Sequence, residues 1–373
     1  MISLRKTIFG KHFFFHCSDY WAEDLKESLE LYPSYSPEHN ESEIEVFINE
    51  LSADSTTPRS QNPTVFKQFD KGFSTDFGLA EINWELDEGL LIRSTITIKN
   101  PFQNRLRGLV KKARSMEFPR RAEWFEQVLH ELFLIPAVHF MPDRAIIHAS
   151  CVANANGALV LSGTGGVGKS SALLSIVEDD VGFLADDILV VDNEGYAYGN
   201  MAWPKVYGYN CAGNDMSSRV LKGRGLIDKL HFIIKNKINP KGVRRKIKPN
   251  ELFSACYSQK IPIKSFIFLF KNETSNLELS STNTDNFSSA IIDVINSEYQ
   301  VFHKFIIWHA YNTMMSDVPK LVSLEDINLN WANILGRLPG RFDIKKLNIP
   351  FHQNHGEYQE YIRKVILSEL AKR

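Results

Sequence analysis

The sequence predicts an α/β protein with a β-rich N-terminal domain, a central α/β domain and a mainly helical C-terminal part. Residues 1–115 contain several segments with the composition or the alternation of strands. Residues 158–176 contain a short apolar strand, a glycine-rich loop and then residues at helical spacing. Helical spacing dominates from Phe287 onward. We therefore place the second and third parts at residues 116–285 and 286–373.

Length and composition limit the classes of protein to consider. The 373 residues are 43% hydrophobic, enough for two ordinary domains or one large domain with additions. A formal net charge of −1 gives no electrostatic sign of nucleic-acid or anionic-membrane binding. No apolar run is long enough to span a membrane, and the N-terminus does not have the pattern of a signal peptide. The four scattered cysteines predict neither a zinc site nor a disulfide framework.

Three segments of the N-terminal domain have the composition of strands. They are Lys6–Cys17, Ile44–Leu51 and Leu79–Ile98, and the last predicts a hairpin that turns at residues 87–89. Ser52–Pro63 is rich in Ser, Thr and Pro, and predicts a surface loop. No pattern in this domain indicates chemistry.

A linker helix is predicted between the N-terminal and central domains. In Glu117–Leu134 the apolar residues recur at helical spacing, and Pro136 is expected to end the helix. Ala145–Val152 then predicts a strand, and a turn at residues 154–157 joins it to the strand before the glycine-rich loop. These two strands should form a hairpin immediately upstream of the loop.

The remainder of the chain predicts strands followed by helices. Residues 181–191 predict a strand pair or a bent strand with two acids in its middle. Pro262–Phe270 and Leu277–Ser281 predict another hairpin. Phe287–Asp317 is predicted to be mostly helical, and Glu357–Lys372 a closing amphipathic helix.

The glycine-rich loop fits the pattern G-x-x-x-x-G-K-[ST]. In this pattern, backbone N–H groups face a β-phosphate, the lysine reaches the β- and γ-oxygens, and the serine hydroxyl holds Mg²⁺. The motif therefore predicts a nucleotide phosphate site, with a glycine-rich turn and an unrelated lysine as the alternative. The predicted binding residues are Gly163, Thr164, Gly165, Gly166, Val167, Gly168, Lys169, Ser170 and Ser171.

Two adjacent acids, Asp186 and Asp187, lie within an apolar segment that follows the loop helix. Burying both carboxylates is unfavourable unless they are paired, protonated or bound to metal. Because successive strand residues face opposite sides, one carboxylate could hold Mg²⁺ while the other accepts a proton from an attacking hydroxyl. A strand-end turn or capping pair is the structural alternative.

Two further features could contribute to the same site. His148 is a single histidine in an apolar strand, and the predicted hairpin brings it within reach of the loop. A satisfied core histidine is the simpler interpretation. The basic segment 241–246 could reach nucleotide phosphates, and a solvated basic loop is an equal alternative.

Several other nucleotide-binding classes are disfavoured. A GTPase would carry Asn-Lys-x-Asp, but the segment 236–239 ends in Asn239. The Leu-Ser-Gly-Gly signature of ABC-type ATPases is absent, and the protein-kinase motifs His-Arg-Asp and Asp-Phe-Gly do not occur as a pair.

Residues 147–150, 163–170 and 184–187 together resemble the catalytic domain of the HPr kinase/phosphorylase family. The likeness is closer to HPr kinase-related proteins such as free-serine kinases and kinases of lasso-peptide precursors. It is most specific over residues 145–191 and covers at most about a third of the chain. The resemblance implies a P-loop kinase domain of the HPr kinase C-terminal type.

The same resemblance implies roles for individual residues. Asp186 would be the base toward a serine hydroxyl, with His148 assisting and Lys169 offsetting developing charge. Asp187 would hold Mg²⁺ together with Ser170. These roles make Asp186, His148 and Lys169 the predicted catalytic residues, and Ser170 and Asp187 the predicted metal ligands.

The sequence also departs from the family. HPr kinases proper carry Gly after the histidine and an acidic residue after the loop serine, where this chain has Ala149 and Ser171. Arg224–Asp228 matches only part of the family's Arg-Gly-Leu-Gly-Ile-Ile signature, which bears on the reverse, phosphorolytic reaction. HPr as acceptor and phosphorylase activity are therefore not predicted.

The leading functional hypothesis is an ATP- and Mg²⁺-dependent kinase that phosphorylates a hydroxyl, namely a serine of a small protein, a peptide or free serine. One alternative is a regulatory nucleotide-binding module that transfers nothing. Another is a slow ATPase that acts on a protein partner. We expect a cytoplasmic protein without nucleic-acid or membrane partners, and the resemblance is compatible with a homo-oligomer.

Overall fold

A computed structural model of the chain shows a mixed α/β fold with two large sheets. It describes residues 1–36, 42–49, 57–62, 65–99, 115–211 and 215–372. The predicted surface loop Ser52–Pro63 lies partly outside the described residues, and its described part ends in a short strand. The predicted domain boundary at residue 115 adjoins residues 100–114, which also lie outside them.

The first sheet has the strand order β1-β2-β3-β8-β7-β6-β5-β4. Its strands are β1 Ile2–Ile8, β2 Lys11–Cys17, β3 Glu43–Ile48, β4 Ser60–Asn62, β5 Phe66–Phe69, β6 Gly72–Asp76, β7 Ala80–Asp87 and β8 Leu90–Ile98. Strands β2, β3 and β8 are parallel neighbours, whereas the other pairs are antiparallel. Each segment predicted here contains a strand, but Lys6–Cys17 is not a single strand, because it spans the end of β1, a turn and β2. The segment Ile44–Leu51 forms β3 as far as Ile48, and its last two residues lie outside the described ranges.

The hairpin predicted over Leu79–Ile98 is also confirmed, because β7 and β8 pair antiparallel. Glu88 and Gly89 both have positive φ, 49° and 84°. Two such residues form the tight turn whose twist matches that of the flanking strands.

The second sheet has the strand order β10-β9-β12-β13-β16-β18-β17, with β11 also paired to β9. Its strands are β9 Ala145–Asn154, β10 Gly157–Ser162, β11 Gly182–Ala185, β12 Ile188–Val191, β13 Tyr196–Tyr198, β16 Lys260–Asn272, β17 Glu278–Ser281 and β18 Asp343–Pro350, and a separate ribbon contains β14 Lys205–Tyr207 and β15 Arg244–Lys246. Strand β10 also pairs parallel with β16. The parallel strands β10, β16 and β18 therefore end at the same edge.

Strand β9 organises the middle of this sheet. It pairs with β10 on one side and with both β11 and β12 on the other. The hairpin predicted around residues 154–157 is confirmed. Residues 181–191 form two short strands rather than one, and the break between these strands contains Asp186 and Asp187.

The second predicted hairpin, between Pro262–Phe270 and Leu277–Ser281, is wrong. Strand β18 lies between β16 and β17, pairing parallel with the former and antiparallel with the latter. Strand β16 is central and has a parallel partner on each side, β10 and β18. Its buried residues include Phe266 and Ile267. The C-terminal part is mainly helical, as predicted, but it also supplies this strand.

The helices are α1 Ala22–Ser28, α2 Arg121–Gln127, α3 Lys169–Leu174, α4 Met216–Leu221, α5 Leu226–Ile238, α6 Pro249–Leu252, α7 Phe287–Glu298, α8 Gln300–Met315, α9 Leu324–Leu335 and α10 His355–Ala371. The helical predictions for Phe287–Asp317 and Glu357–Lys372 are confirmed. No helix within the described ranges is both long and apolar enough to cross a membrane.

The linker helix differs from its prediction at both ends. It begins at Arg121, continues as a π-helical segment over Val128–Leu134, and passes through Pro136 in the helical turn Ile135–Ala137. The change of hydrogen-bond register places Pro136 at the start of a new helical segment, where its missing N–H is tolerated. Pro136 therefore does not end the helix.

The two sheets are joined by an aromatic core around the linker helix. The ring of Trp84 on β7 lies 5.6 Å from that of Phe133 on the linker and 5.6 Å from that of Phe302 on α8. All three side chains are buried. Such aromatic contacts fix the N-terminal sheet against the linker and α8, which border the candidate site.

Candidate functional site

The glycine-rich loop connects β10 to α3, as the sequence predicts. Gly163 and Gly168 have φ of +155° and +118°, which L-residues with a side chain rarely adopt. A Cβ on Gly163 would lie 2.6 Å from the carbonyl oxygen of Leu269. A Cβ on Gly168 would lie 2.9 Å from the hydroxyl of Tyr358. Conformation and space therefore both require glycine at these two positions.

The side chain of Lys169 is hydrogen-bonded to the backbone of the loop. Its Nζ donates hydrogen bonds to the carbonyl oxygens of Gly163 (2.8 Å) and Thr164 (2.9 Å). The residue is only 6% exposed, and burial lowers the pKa of Lys169, while Asp187, Asp186 and Glu298 act in the opposite direction. The ammonium group is thus held at the loop within the field of several carboxylates.

Asp186 is buried beside the loop serine. Its Oδ1 accepts hydrogen bonds from the hydroxyls of Ser150 (2.7 Å) and Ser170 (3.0 Å). Burial, followed by the neighbouring carboxylate of Asp187, raises the pKa of Asp186, and the two serine hydrogen bonds oppose that rise. The proximity of Asp186 to the loop agrees with the prediction from the sequence.

Asp187 has different surroundings, although it is the next residue. Its φ of +74° is unusual for a non-glycine residue, and its side chain is 55% exposed. Oδ1 lies 3.5 Å from Nδ1 of His148, and Oδ2 lies 3.7 Å from Nζ of Lys205. The break between β11 and β12, rather than strand alternation, separates the two carboxylates.

His148 lies on β9 opposite Ile188 and is buried. Its ring contacts Asp187, whose Oδ1 lies 3.5 Å from Nδ1. Burial, followed by the charge of Lys169, lowers the pKa of His148, while Asp187 acts in the opposite direction. The ring thus lies between the ammonium group of Lys169 and the carboxylate of Asp187.

Residues 165–171 of the loop and helix, together with His148, Asp186 and Asp187, line one open cleft of about 650 Å³, whereas Gly163 and Thr164 do not line it. Five cationic and three acidic side chains contribute to it: Lys169, Lys205, Lys241, Arg244, Lys271, Asp186, Asp187 and Glu298. An excess of cations in a glycine-rich cleft suits a polyanion such as a triphosphate. Of the predicted basic segment, Lys241 and Arg244 line the cleft.

The other two basic residues of that segment are structural. Arg245 Nε donates to Asp228 Oδ1 at 2.7 Å, and Lys246 Nζ donates to Glu126 Oε2 at 2.7 Å. The side chains of Arg224 and Asp228, which belong to the partial family signature, form a buried ion pair with an N–O distance of 2.9 Å. Neither Arg224 nor Asp228 lines the cleft.

Sequence reasoning missed several cleft residues. They are Lys205, Tyr207, Tyr209, Lys271, Glu298, Ile349, Gln353, His355 and Tyr358. Lys271 and Ile349 stand at the carboxyl ends of β16 and β18, where α/β sheets commonly bind ligands. That rule could have indicated them, had the parallel pairing of β16 with β18 been predicted.

A second cleft of about 230 Å³ shares His148, Asp187 and Glu298 with the first. Its remaining lining is largely apolar and comes from the N-terminal sheet, the linker and the start of α8: Phe77, Glu131, Leu132, Pro136, Tyr299, Val301 and Phe302. Asp187 is therefore accessible from both clefts.

The fit to Mg²⁺ rests on oxygen donors. In the described part of the chain, no cluster of three His, Cys, Asp or Glu side chains could hold a metal by itself. Ser170 and Asp186 nevertheless offer a hydroxyl and a carboxylate oxygen 3.0 Å apart. Mg²⁺ prefers such oxygens and is commonly bound by one or two carboxylates together with phosphates, so this pair fits a nucleotide-bound ion.

The structure is that of a mixed α/β protein in which a loop with the phosphate-binding sequence pattern follows a strand. No protein-family model matches the sequence, and no curated protein matches it. Among solved structures, the Hpr(Ser) kinase/phosphatase from Coxiella burnetii aligns with 60% of this chain and 97% of its own chain, at 10% identity and a TM-score of 0.24. Similarity at this level assigns neither an activity nor a substrate.

Proposed function

We propose that this protein is a kinase that transfers the γ-phosphate of a nucleoside triphosphate, with ATP as the expected donor, to a hydroxyl. The expected acceptors are a serine of a protein, a serine of a peptide, or free serine. One observation carries the proposal: the hydroxyl of Ser170, in the glycine-rich loop, donates to Asp186, and the half-exposed Asp187 is adjacent. Binding of phosphate alone would not require the second carboxylate.

The contacts favour a division of roles opposite to the one implied by the family resemblance. Asp186 is bonded to the loop serine, so we assign Asp186 and Ser170 to Mg²⁺. When bound, the ion would neutralise charge on the phosphate oxygens. Asp187 reaches both clefts, so we assign it as the base toward the acceptor.

In the proposed transfer, the acceptor oxygen forms a bond to the γ-phosphorus. The bond between that phosphorus and the β,γ-bridging oxygen breaks, and the nucleoside diphosphate leaves with the electron pair. The hydroxyl proton passes to the Asp187 carboxylate, which His148 can orient from 3.5 Å. Lys169 would offset charge on the transferred group.

The second cleft suits the acceptor. Its largely apolar wall could hold a small molecule or one side chain of an extended peptide next to Asp187. Burial acts to lower the pKa of Lys205, but the carboxylates of Glu131 and Asp187 outweigh it and raise that pKa above its usual value. Lys205 therefore stays charged, 3.7 Å from the Asp187 carboxylate.

The test measures transfer of ³²P from the γ-position of ATP with Mg²⁺. Wild type, Asp187→Asn and Asp186→Asn are compared with free serine, a pool of serine-containing peptides and a cell lysate as acceptors. We expect Asp187→Asn to lower transfer by about 10²- to 10⁴-fold while ATP binding is retained. Asp186→Asn should mainly weaken the Mg²⁺ dependence of binding.

The outcomes separate the alternatives. The reverse pattern in the two variants would support the roles implied by the family resemblance. Tight ATP binding without any labelled acceptor would contradict the kinase proposal in favour of a regulatory nucleotide-binding module. Release of free phosphate alone would indicate an ATPase.

A further inference from the structure

Aromatic side chains line part of the large cleft that contains the loop. Besides Ser171, its lining includes Tyr209, Gln353 and His355. In the loop motif, the lysine and first serine serve the β- and γ-phosphates. Ser171 is one residue further into the helix, so the α-phosphate end of a bound nucleotide would point toward this aromatic part of the cleft.

From this geometry we infer a nucleobase site formed by Tyr209 and His355, which stacks an aromatic base. The inference rests on the proposed function, and it specifies the phosphoryl donor as a nucleotide rather than an inorganic polyphosphate. Every nucleobase has a π-face, so aromatic side chains can stack on any base, whichever hydrogen bonds its edge can form.

Tyr209 is tied directly to the residue that follows the loop. Burial raises the pKa of Tyr209, while its hydrogen bond with the Ser171 side chain acts in the opposite direction. Ser171 Oγ also lies 3.2 Å from Oδ1 of Asn210. The Tyr209 ring is stacked 5.4 Å from that of Tyr207, at an angle of 21°. The neighbouring ring thus supports the orientation of Tyr209.

His355, the first residue of α10, completes the aromatic wall. Its ring lies 5.3 Å from that of Tyr209 and perpendicular to it. Nε2 of His355 is buried and has no hydrogen-bond partner among the described residues. Burial lowers the pKa of His355, which favours the neutral ring.

Helix α10 fixes the distance between this wall and the loop. His355 is its first residue, and the hydroxyl of Tyr358, one turn later, donates to the carbonyl oxygen of Gly168 at 3.1 Å. The same helix therefore touches the loop and supplies the aromatic ring. The fold therefore fixes the position of His355 relative to the loop.

The experiment measures the dissociation constants of two probes, ATP and inorganic tripolyphosphate, by calorimetry. Tyr209→Ala should weaken ATP binding by about 5- to 100-fold, the range for loss of one base–aromatic stack, and change tripolyphosphate binding less than about 2-fold. Tyr209→Phe keeps the ring and should retain wild-type ATP affinity. Tyr311→Ala, at a tyrosine that is 54% exposed and outside the cleft, is the matched control.

Each other outcome has a distinct meaning. Unchanged ATP affinity in Tyr209→Ala, or equal weakening of both probes, would overturn the nucleobase site while leaving phosphate binding intact. If neither probe binds the wild-type protein, the proposed function itself fails. His355→Ala should reproduce the selective loss of ATP affinity, and this checks that the effect does not come from misfolding at Tyr209.

Discussion

The carboxylate Oε1 of Glu298 accepts a hydrogen bond from the backbone N–H of Gly165 at 3.0 Å. Glu298 is the last residue of α7, and Gly165 lies in the middle of the glycine-rich loop. The Glu298 carboxylate thus accepts a hydrogen bond from a loop N–H group of the kind that binds phosphate oxygens in this motif. A triphosphate and the Glu298 carboxylate would compete for the same donor.

Glu298→Gln is therefore expected to tighten nucleotide binding. Removing the charge relieves like-charge repulsion of about 1 kcal/mol, which corresponds to about 5-fold in affinity. The measurement is ATP titration by calorimetry. Asp293→Asn, at an exposed acid on the same helix, should leave the affinity unchanged. Weaker binding in Glu298→Gln would instead mean that the carboxylate supports the bound state.

Gly168→Ala should destabilise the protein and abolish nucleotide binding. A φ of +118° is strained for alanine, and the new Cβ would meet the Tyr358 hydroxyl, so we expect a loss of about 1–3 kcal/mol in the free energy of unfolding. Urea unfolding measures this change. Gly225→Ala is the control, because Gly225 has a φ of −68° and open space around it. Equal stability of the two variants would disprove the conformational argument.

The ion-pair network around Arg224 is expected to contribute to folding rather than chemistry. The guanidinium bonds to Asp228 and Glu123, and all three side chains are at most 6% exposed. Arg224→Met would leave two buried carboxylates without this partner and should lower the free energy of unfolding by about 3–5 kcal/mol.

The control for this change is Lys364→Met, which breaks an exposed helical pair with Glu360 and should leave the free energy of unfolding nearly unchanged. Chemical denaturation of both variants gives the comparison. A small effect at Arg224 would show that water or a neighbouring group compensates for the lost cation.

His309 makes stability dependent on pH. Nδ1 is hydrogen-bonded to Oε1 of Gln68 at 2.8 Å, and Nε2 accepts from the N–H of Leu321 at 3.1 Å, which requires a neutral ring. Burial, aided by the charge of Lys320, lowers the pKa of His309 to about 4. The unfolded chain binds this proton near pH 6.5. Stability is therefore full above about pH 6.5 and is lost as the pH falls toward 4.

Between about pH 7.5 and pH 5, this group alone should lower the free energy of unfolding by about 2 kcal/mol. Other groups titrate in the same range, so the measurement is the difference between wild type and His309→Gln in urea unfolding at the two pH values. Identical pH dependence in both proteins would contradict the assignment.

The parts of the fold that depend on neighbouring residues could be predicted from the sequence. The turn at Glu88 and Gly89, the β9–β10 hairpin and the glycine-rich loop are each specified within a few positions of the chain. The adjacency of Asp186 to Ser170 followed from the short connection between the loop helix and the next strand. Such local signals are the ones that periodicity and turn chemistry contain.

The parts that depend on distant segments could not be predicted. Nothing near Leu277–Ser281 shows that a strand from residues 343–350 will separate it from β16. Glu298 and His355 reach the cleft only because α7 and α10 pack around that sheet. Their sequence neighbourhoods are those of ordinary amphipathic helices, so no pattern distinguishes them from surface residues.

The position of β18 has a consequence for synthesis of the chain. Strand β16 pairs with β18 over eight positions, and in the described residues β17 pairs with β18 alone. During synthesis, β16 and β17 are complete well before residue 350 leaves the ribosome. Until then, the edges of β16 and β17 that pair with β18 have no partner. The glycine-rich loop likewise lacks its contact with Tyr358. Unpaired edges of this kind are where nascent chains aggregate. We expect the nascent protein to depend on chaperones until its last helix has been made.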